Sequence, residues 1–541
     1  MRPNKKWWAP LLAAIMVFAT AAPAAADHAT RTNTDNLIDL GDVVRDPAAA
    51  DVTDLAFWGN KAYVGAYNGW YIVDISNKNN PVVLDNYDEC NGNQGDVMVW
   101  ENLLFRSWNS SATAGQTCGP YTMAAGEEGI HAFDVSDPTN PVFLDFIDLV
   151  AGSHTATLVP DLAHDRLFIY NGPSSGGAPG IDIVEVELDD DPTTVGVDER
   201  GQMTLVRREN TNRSCHDNAV FLGSVLKMVC AGGNGFTVLS MDPADGGSIT
   251  DPQMLYSLAV KDVTTVHAAT FTNDGKTFVF GHEPGGGSLA SCEDGDPDAF
   301  RTFWFFDTAT GAEQGKWEIP VQGSTENCTP HNMNVIPTTD GSDVMVSGNY
   351  QAGTWVTDFT NRRRPEILAY SDPPPLDPNV LIPDGAWSSY WYDGYIYEAD
   401  IRKGLHIFQI ENPTPGIANY VPESFSNPQT QMMRIPQTIA TASEVSIVHR
   451  TGPDRFGGKV TSDDGEGRCT AGRTVVIKKA QDGPDKWIGK TTIDLLGGYR
   501  IRHTRGGRGT YYAVVQPSSQ TDGVDTLNCA RARSDSIFAR Q

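Results

Sequence analysis

The chain has 541 residues, 40% hydrophobic and 20% charged, so it can build a large core and more than one domain and lacks the composition of a disordered protein. A formal net charge of -28 argues against a nucleic-acid partner, because phosphate binding needs a basic face. The 53 Gly and 33 Pro, set among many short apolar runs, predict an all-β protein rich in turns.

Residues 1–26 read as a secretion signal. Arg2, Lys5 and Lys6 precede the apolar stretch 9–22, and Ala24, Ala25 and Ala26 supply small residues for cleavage before Asp27. No later apolar stretch is long enough to predict a membrane span. The eight cysteines suit an oxidising compartment. Proximity suggests Cys90–Cys118, Cys215–Cys230, Cys292–Cys328 and Cys469–Cys529, although eight cysteines allow roughly a hundred connectivities. For Cys215 and Cys230 there is a geometric reason: they open and close one hairpin that turns near Gly223. A cysteine metal site is the rival reading, and no C-x-x-C spacing supports it.

From residue 36 onward one pattern repeats at roughly 40–65-residue intervals, the range of propeller blades carrying loop insertions. GWYIVDISNKNNPVVLDNYD from residue 69 is echoed by GIHAFDVSDPTNPVFLDFIDL from residue 129. GIDIVEVEL, GFTVLSMDPADGG, TFWFFDTATGAEQGKWEI, GTWVTDFTNRRRPEILAYSD and GLHIFQIENP follow. Each unit reads as four strands. Aligning them puts Asp54, Asp96, His154, His216, His267, His331 and Ser388 at the first position of seven inner strands. The seventh unit lacks an outer strand, and NLIDLGDVV (36–44) has the look of the missing one. The expectation is a seven-bladed β-propeller over 27–412, a linker over 413–443 and a small β-sandwich over 444–541, the last similar to immunoglobulin-like or transthyretin-like domains.

The units resemble the LVIVD repeat family. CHDNAVF (215–221), HAATFTNDGKTFVFGHE (267–283), HNMNVIP (331–337) with SGNYQAGTWVTD (347–358), and GAWSSYW (385–391) with DIRKGLHIF (400–408) resemble more closely the LVIVD propellers called choice-of-anchor B proteins. That resemblance implies the fold and no particular reaction.

Four histidines at one position of consecutive inner strands predict a metal site. Strand starts converge at one end of a propeller channel, so His154, His216, His267 and His331 are within reach of one ion. All-nitrogen ligation suits Zn, Cu, Mn, Fe or Ni. Asp96 is a candidate oxygen ligand. Asp54, Asp217 and His282 are candidates for orienting the ligands, with Asp217 expected to point away from the channel by strand alternation. Glu283 is the candidate general base. Arg402 is a candidate for an anionic substrate group, against a simple ion pair with Asp400. His131 and His406 fall in the third strands and read as packing residues. The bland alternative for the ring is a set of polar channel residues. Two functions stay open: a secreted metal-binding propeller that binds an extracellular ligand and acts as a metal-dependent enzyme, or a non-catalytic extracellular binding or adhesion scaffold.

Overall fold

Almost every element of the computed structural model is a strand. It describes residues 30–540 apart from 45–49, 163, 175–178, 189–198, 294, 321–324, 433–437, 452–453, 463–468, 495, 503–506 and 523–524. The expected secretion signal lies outside the described residues. Two compact units divide the chain between Met433 and Arg434.

The first unit is all-β and propeller-like. Among the described residues it contains seven sheets, each with an antiparallel core of four strands, some with one added strand. In six of them the four follow one another along the chain, one with a small hairpin (Thr117–Cys118 and Tyr121–Thr122) inserted, and in the seventh the fourth comes from the N-terminal side. The inner strands are Val52–Trp58, Val97–Trp100, Ala156–Asp161, Asp217–Leu222, Val266–Phe271, Met333–Val335 and Ala386–Tyr392. Each packs beside the next in chain order, and the last packs beside the first. The expected outer-strand pairing is present: Leu37–Val44 pairs antiparallel with Gly404–Ile410, from Leu37↔Ile410 to Val44↔Gly404. Just before it, Thr32–Asn33 pairs with Glu366–Asp372 of the preceding sheet.

Two local features explain the repeat. The Asp that ends the third strand folds back on the chain. Asp74, Asp134 and Asp358 each accept the N–H two residues on, from Ser76, Ser136 and Thr360, at 2.7–2.9 Å, an Asx-turn that stops the strand. All seven pairings of third with outer strand also carry a register shift near mid-strand; such a bulge adds twist. Glycine in the second strands lets neighbouring inner strands approach. A Cβ on Gly348 would sit 2.8 Å from the Ser389 nitrogen, and one on Gly172 would sit 2.7 Å from the Cys215 carbonyl.

The stretch expected as a linker, 413–443, is divided. Residues 419–431 run across the far ends of the inner strands. Phe425–Ser426 pairs with Phe57–Trp58, and Thr430–Gln431 pairs with Val220–Phe221. Val421 N donates to Pro337 O, Thr430 Oγ1 to Leu158 O, and the Gln431 amide holds Phe271. Tyr420 stacks edge-on against Trp391. The segment therefore closes the end of the strands opposite the one at which they begin. Its Pro, Ser and Gln content looked like linker composition, but the amides serve as substitutes for strand partners.

The second unit contains three sheets among its described residues. Thr474–Lys479 pairs with Lys486–Thr492 and Gly509–Val515, and its core gathers Phe456, Val475, Ile477, Tyr511 and Ala513. All four expected disulfides are present: Cys90–Cys118, Cys215–Cys230, Cys292–Cys328 and Cys469–Cys529.

Candidate metal centre

The four histidines gather at the mouth of the ring of inner strands. Successive ring centroids lie 4.2 Å apart for His154–His216, 4.4 Å for His216–His267 and 3.9 Å for His267–His331. The Nε2 atoms of His154 and His216 stand 2.8 Å apart. Glu283 joins them: its carboxylate oxygens lie 3.9 Å from His267 Nε2 and 3.7 Å from His331 Nε2. His216, His267 and Glu283 present donor atoms that all fall within 4.8 Å of one another.

The other ring nitrogen decides what each Nε2 can do. His154 Nδ1 donates to Asn109 Oδ1 at 3.0 Å, and His331 Nδ1 donates to the Trp387 carbonyl at 2.5 Å. The Nδ1 atoms of His216 and His267 are buried without a hydrogen-bond partner. A proton on Nδ1 leaves the lone pair on Nε2, the arrangement that metal-bound imidazoles take. Burial pushes the His154 ring down to about 4 and the His331 ring to about 3, and it holds His216 and His267 well below their ordinary value. The rings are therefore neutral at neutral pH. The Nε2 atoms of His154 and His216, 2.8 Å apart, either hold one proton between them, with His216 as its donor, or share a cation.

Glu283 is the most perturbed acid of the mouth. It is 4% exposed, burial raises its carboxyl to about 7, and a hydrogen bond from Tyr350 OH at 2.5 Å opposes that rise. A cavity of about 280 Å³ opens over the four rings and Glu283, walled by Tyr67, Tyr350, Trp387 and Ile401 and by the turn Gly286–Ser288.

Several expected roles change. Asp54, Asp96 and Ser388 do not share the histidine position. Val266, Ala386 and Val52 pair at equivalent places with His282, Asp400 and Ala66, so His267, Trp387 and Thr53 are the equivalent residues. In the second inner strand Ser107 N donates to Asp96 O as Gly348 N donates to Asn332 O, which puts Gly95 level with His331. The ring position is thus Thr53, Gly95, His154, His216, His267, His331 and Trp387. A bulge next to this position in three strands adds a residue that sequence alignment by polar identity absorbed wrongly. Asp96 consequently does not line the cavity. Asp217, expected to face away, interacts electrostatically with Asp54 of the first inner strand.

His282 is not beside the ring. Its Nδ1 donates to Ala299 O at 2.8 Å and its Nε2 accepts from Thr264 N at 3.1 Å, so it holds loops together. Arg402 stands at the edge of the mouth, where its guanidinium pairs with Asp51 at 3.2 Å; only its backbone N–H reaches Asp400. His131 packs between Trp108 and Phe146. Sequence reasoning missed Asn109, Tyr67, Tyr350 and Trp387. Tyr350 and Trp387 lie inside the repeat blocks NYQAG and GAWSS, but nothing in those strings says that they turn toward the histidines.

A model of the LVIVD repeat matches residues 49–89. No curated protein matches the chain. Among solved structures, the N-terminal domain of Nup159 is similar at a TM-score of 0.39 and 8% identity, with 72% of this chain and 97% of that chain covered. A chain of the complex of KlAtg21 with the coiled coil of AgAtg16 follows at 0.37 and 9%, with 68% and 96% covered. Such scores carry no conclusion about activity. Together the repeat match and the sheet order define a propeller-like, repeat-containing, disulfide-bonded protein with a candidate His/Glu metal-binding group.

Proposed function

We propose that this is a secreted protein whose 27–412 region is a seven-bladed β-propeller with an axial transition-metal site, held by His154, His216, His267 and His331 and approached by Glu283. The observation that carries the reading is the inward Nε2 set. Neutral imidazoles gathered beside a carboxylate bind Zn, Cu, Mn or Fe well, and His216, His267 and Glu283 present donor atoms within 4.8 Å of one another. Secretion is supported by the basic and apolar N-terminal sequence and by the four disulfides; no helix among the described residues is long and apolar enough to cross a membrane.

The cavity over the ring favours a ligand-binding, catalytic role over a purely structural ion. A bound transition ion supplies Lewis acidity there. Glu283, with a carboxyl poised near neutrality, takes or gives a proton at its Oε atoms, and Tyr350 fixes its orientation. Trp387 and Tyr67, ring centroids 6.4 Å apart, present an aromatic wall to an extracellular small molecule. The sandwich reading of 444–541 and membership of the choice-of-anchor B group belong to the same proposal.

The test is the metal content of the purified mature protein. Wild type should carry about one transition ion per chain, and the His216→Ala/His267→Ala double variant should lose it while remaining folded by circular dichroism. Equal metal content in the two proteins would remove the site and leave the extracellular binding or adhesion scaffold as the reading to keep.

A further inference from the structure

The two units of the chain carry charge of opposite sign. Residues 434–541 hold 17 Lys and Arg against 11 Asp and Glu, whereas residues 1–433 hold 23 against 57. The second unit is thus the basic part of an acidic protein, and its basic side chains are not spread evenly.

Val448–Arg450, Arg455–Ser462 and Gly498–Arg502 pair side by side as three antiparallel strands. Phe456, Val460, Tyr499 and Ile501 turn into the core of the unit, so alternation sends their neighbours outward. The register puts Arg450 opposite Arg455 and Arg455 opposite Arg502, which makes one line of three arginines across the sheet. Two residues along, Arg500 stands opposite Gly457, and Lys459 follows on the same face. Arg450, Lys459, Arg500 and Arg502 are exposed and Arg455 is half-buried.

The line weakens the sheet that carries it. Like charges directly opposite on neighbouring strands, with Cβ atoms about 5 Å apart, are destabilising. None of the five side chains forms an ion pair or a hydrogen bond with a described residue. The acids nearby are turned to other partners. Asp454 pairs with His449 at 3.0 Å, and the Asp494 carboxylate accepts the N–H groups of Leu496 and Gly498 at 3.0 and 2.8 Å.

The form of the face selects among anionic partners. Arginine forks match carboxylates with paired hydrogen bonds. The line crosses strands that stand about 4.8 Å apart, close to the length of one sugar in an extended polysaccharide. These strands send no aromatic side chain outward, so they lack the stacking platform of a single-strand nucleic-acid site. Their exposed apolar side chain, Val448, is too little to enter a membrane interface.

We propose that this face, with Arg450, Arg455 and Arg502 at its centre and Arg500 and Lys459 beside them, docks a linear acidic polysaccharide whose sugars carry carboxylates. The proposal is independent of the histidine ring.

The experiment uses the full-length mature chain and immobilised polygalacturonate, with neutral dextran, single-stranded DNA and phosphatidylglycerol vesicles as comparisons. Wild type should bind polygalacturonate, more weakly as salt rises, and should not bind dextran. Arg455→Gln/Arg502→Gln should weaken binding by roughly tenfold or more without lowering the melting temperature, because it relieves the like-charge line. Arg455→Lys/Arg502→Lys should restore only part of it. Lys478→Gln/Lys490→Gln removes as much charge from the separate sheet of Thr474–Lys479 and Lys486–Thr492 and should bind as wild type does. A wild-type measurement guards against a misfolded variant: polygalacturonate should protect Arg450, Arg455 and Arg502 from phenylglyoxal, read by mass spectrometry. Wild type that ignores polygalacturonate, equal weakening by the two Gln pairs, tighter binding of DNA or vesicles, or arginines left unprotected would each overturn the proposal.

Discussion

Asn427 grips Val99 by both backbone groups, although 328 residues separate them: its Oδ1 accepts from Val99 N at 2.7 Å and its Nδ2 donates to Val99 O at 2.8 Å. A side-chain amide thus takes the place of a strand partner at the end of the second inner strand. Gln431 treats Phe271 in the same way, at 2.6 and 2.7 Å.

Asn427→Ala leaves a buried donor and a buried acceptor on Val99 without partners. The expected loss is about 2 kcal/mol of unfolding free energy, read by urea denaturation. Asn427→Gln, which keeps the amide at a different reach, should fall between the two. A variant as stable as wild type would show that 419–431 merely rests on the strand ends.

Asn109→Leu should weaken metal binding without unfolding the protein. Asn109 accepts the His154 Nδ1 proton, and removing such an orienting acceptor costs about 10- to 100-fold in metal affinity. Competition with a chromophoric chelator measures it. No change would mean that the His154 ring is fixed by packing alone.

Glu283 gives the metal-free protein a pH dependence of known sign. Its carboxyl is raised from the ordinary 4.5 to about 7 in the folded chain, so the folded state favours the protonated form. That contribution is complete below pH 4.5 and is lost as pH rises through 7, to a total of about 3 kcal/mol. Neutral buried histidines push the other way between pH 4 and 6.5, so the comparison must be with Glu283→Gln. Relative to that variant, stripped wild type should lose stability between pH 5 and pH 8. Parallel curves for the two proteins would count against a buried, proton-holding Glu283.

Arg31→Ala should destabilise the first unit. The Arg31 guanidinium lies 2.8 Å from Glu398 Oε1 and 3.5 Å from Asp400 Oδ2, and both acids have fully buried side chains. Leaving them without Arg31 costs about 3 kcal/mol. Adding Glu398→Gln should recover part of it, which thermal melts of the single and double variants would reveal. Absence of any recovery would assign the loss to the Thr32–Asn33 pairing.

Much of this architecture can be read from the chain because the repeat has a physical cause at every turn. The Asp that ends four of the seven third strands (Asp74, Asp134, Asp307 and Asp358) and the glycine at or just before the start of six of them recur visibly, and so the sheets and the pairing of Leu37–Val44 follow. The four histidines are legible for the same reason, since they fall at one register. Legibility fails where an element departs from regular alternation. The bulges beside Thr53, His267 and Trp387 hide which residue is level with which, so Asp54 and Asp96 look level with the histidines in the sequence but stand one residue further along their strands. His282 is adjacent in sequence to Glu283, yet the strand sends the two side chains to opposite sides, one into a loop and one onto the ring. Residues 419–431 escaped notice because amides bonding to a strand end leave no periodic pattern.

The closure of the strand ends by residues 419–431 has a bearing on time as well as shape. A channel with one mouth admits its contents in sequence. Whatever the four imidazoles hold must then enter and leave through the cavity beside Glu283. A chelator too large for that cavity should remove the ion only after it has dissociated, at a rate that does not rise with chelator concentration.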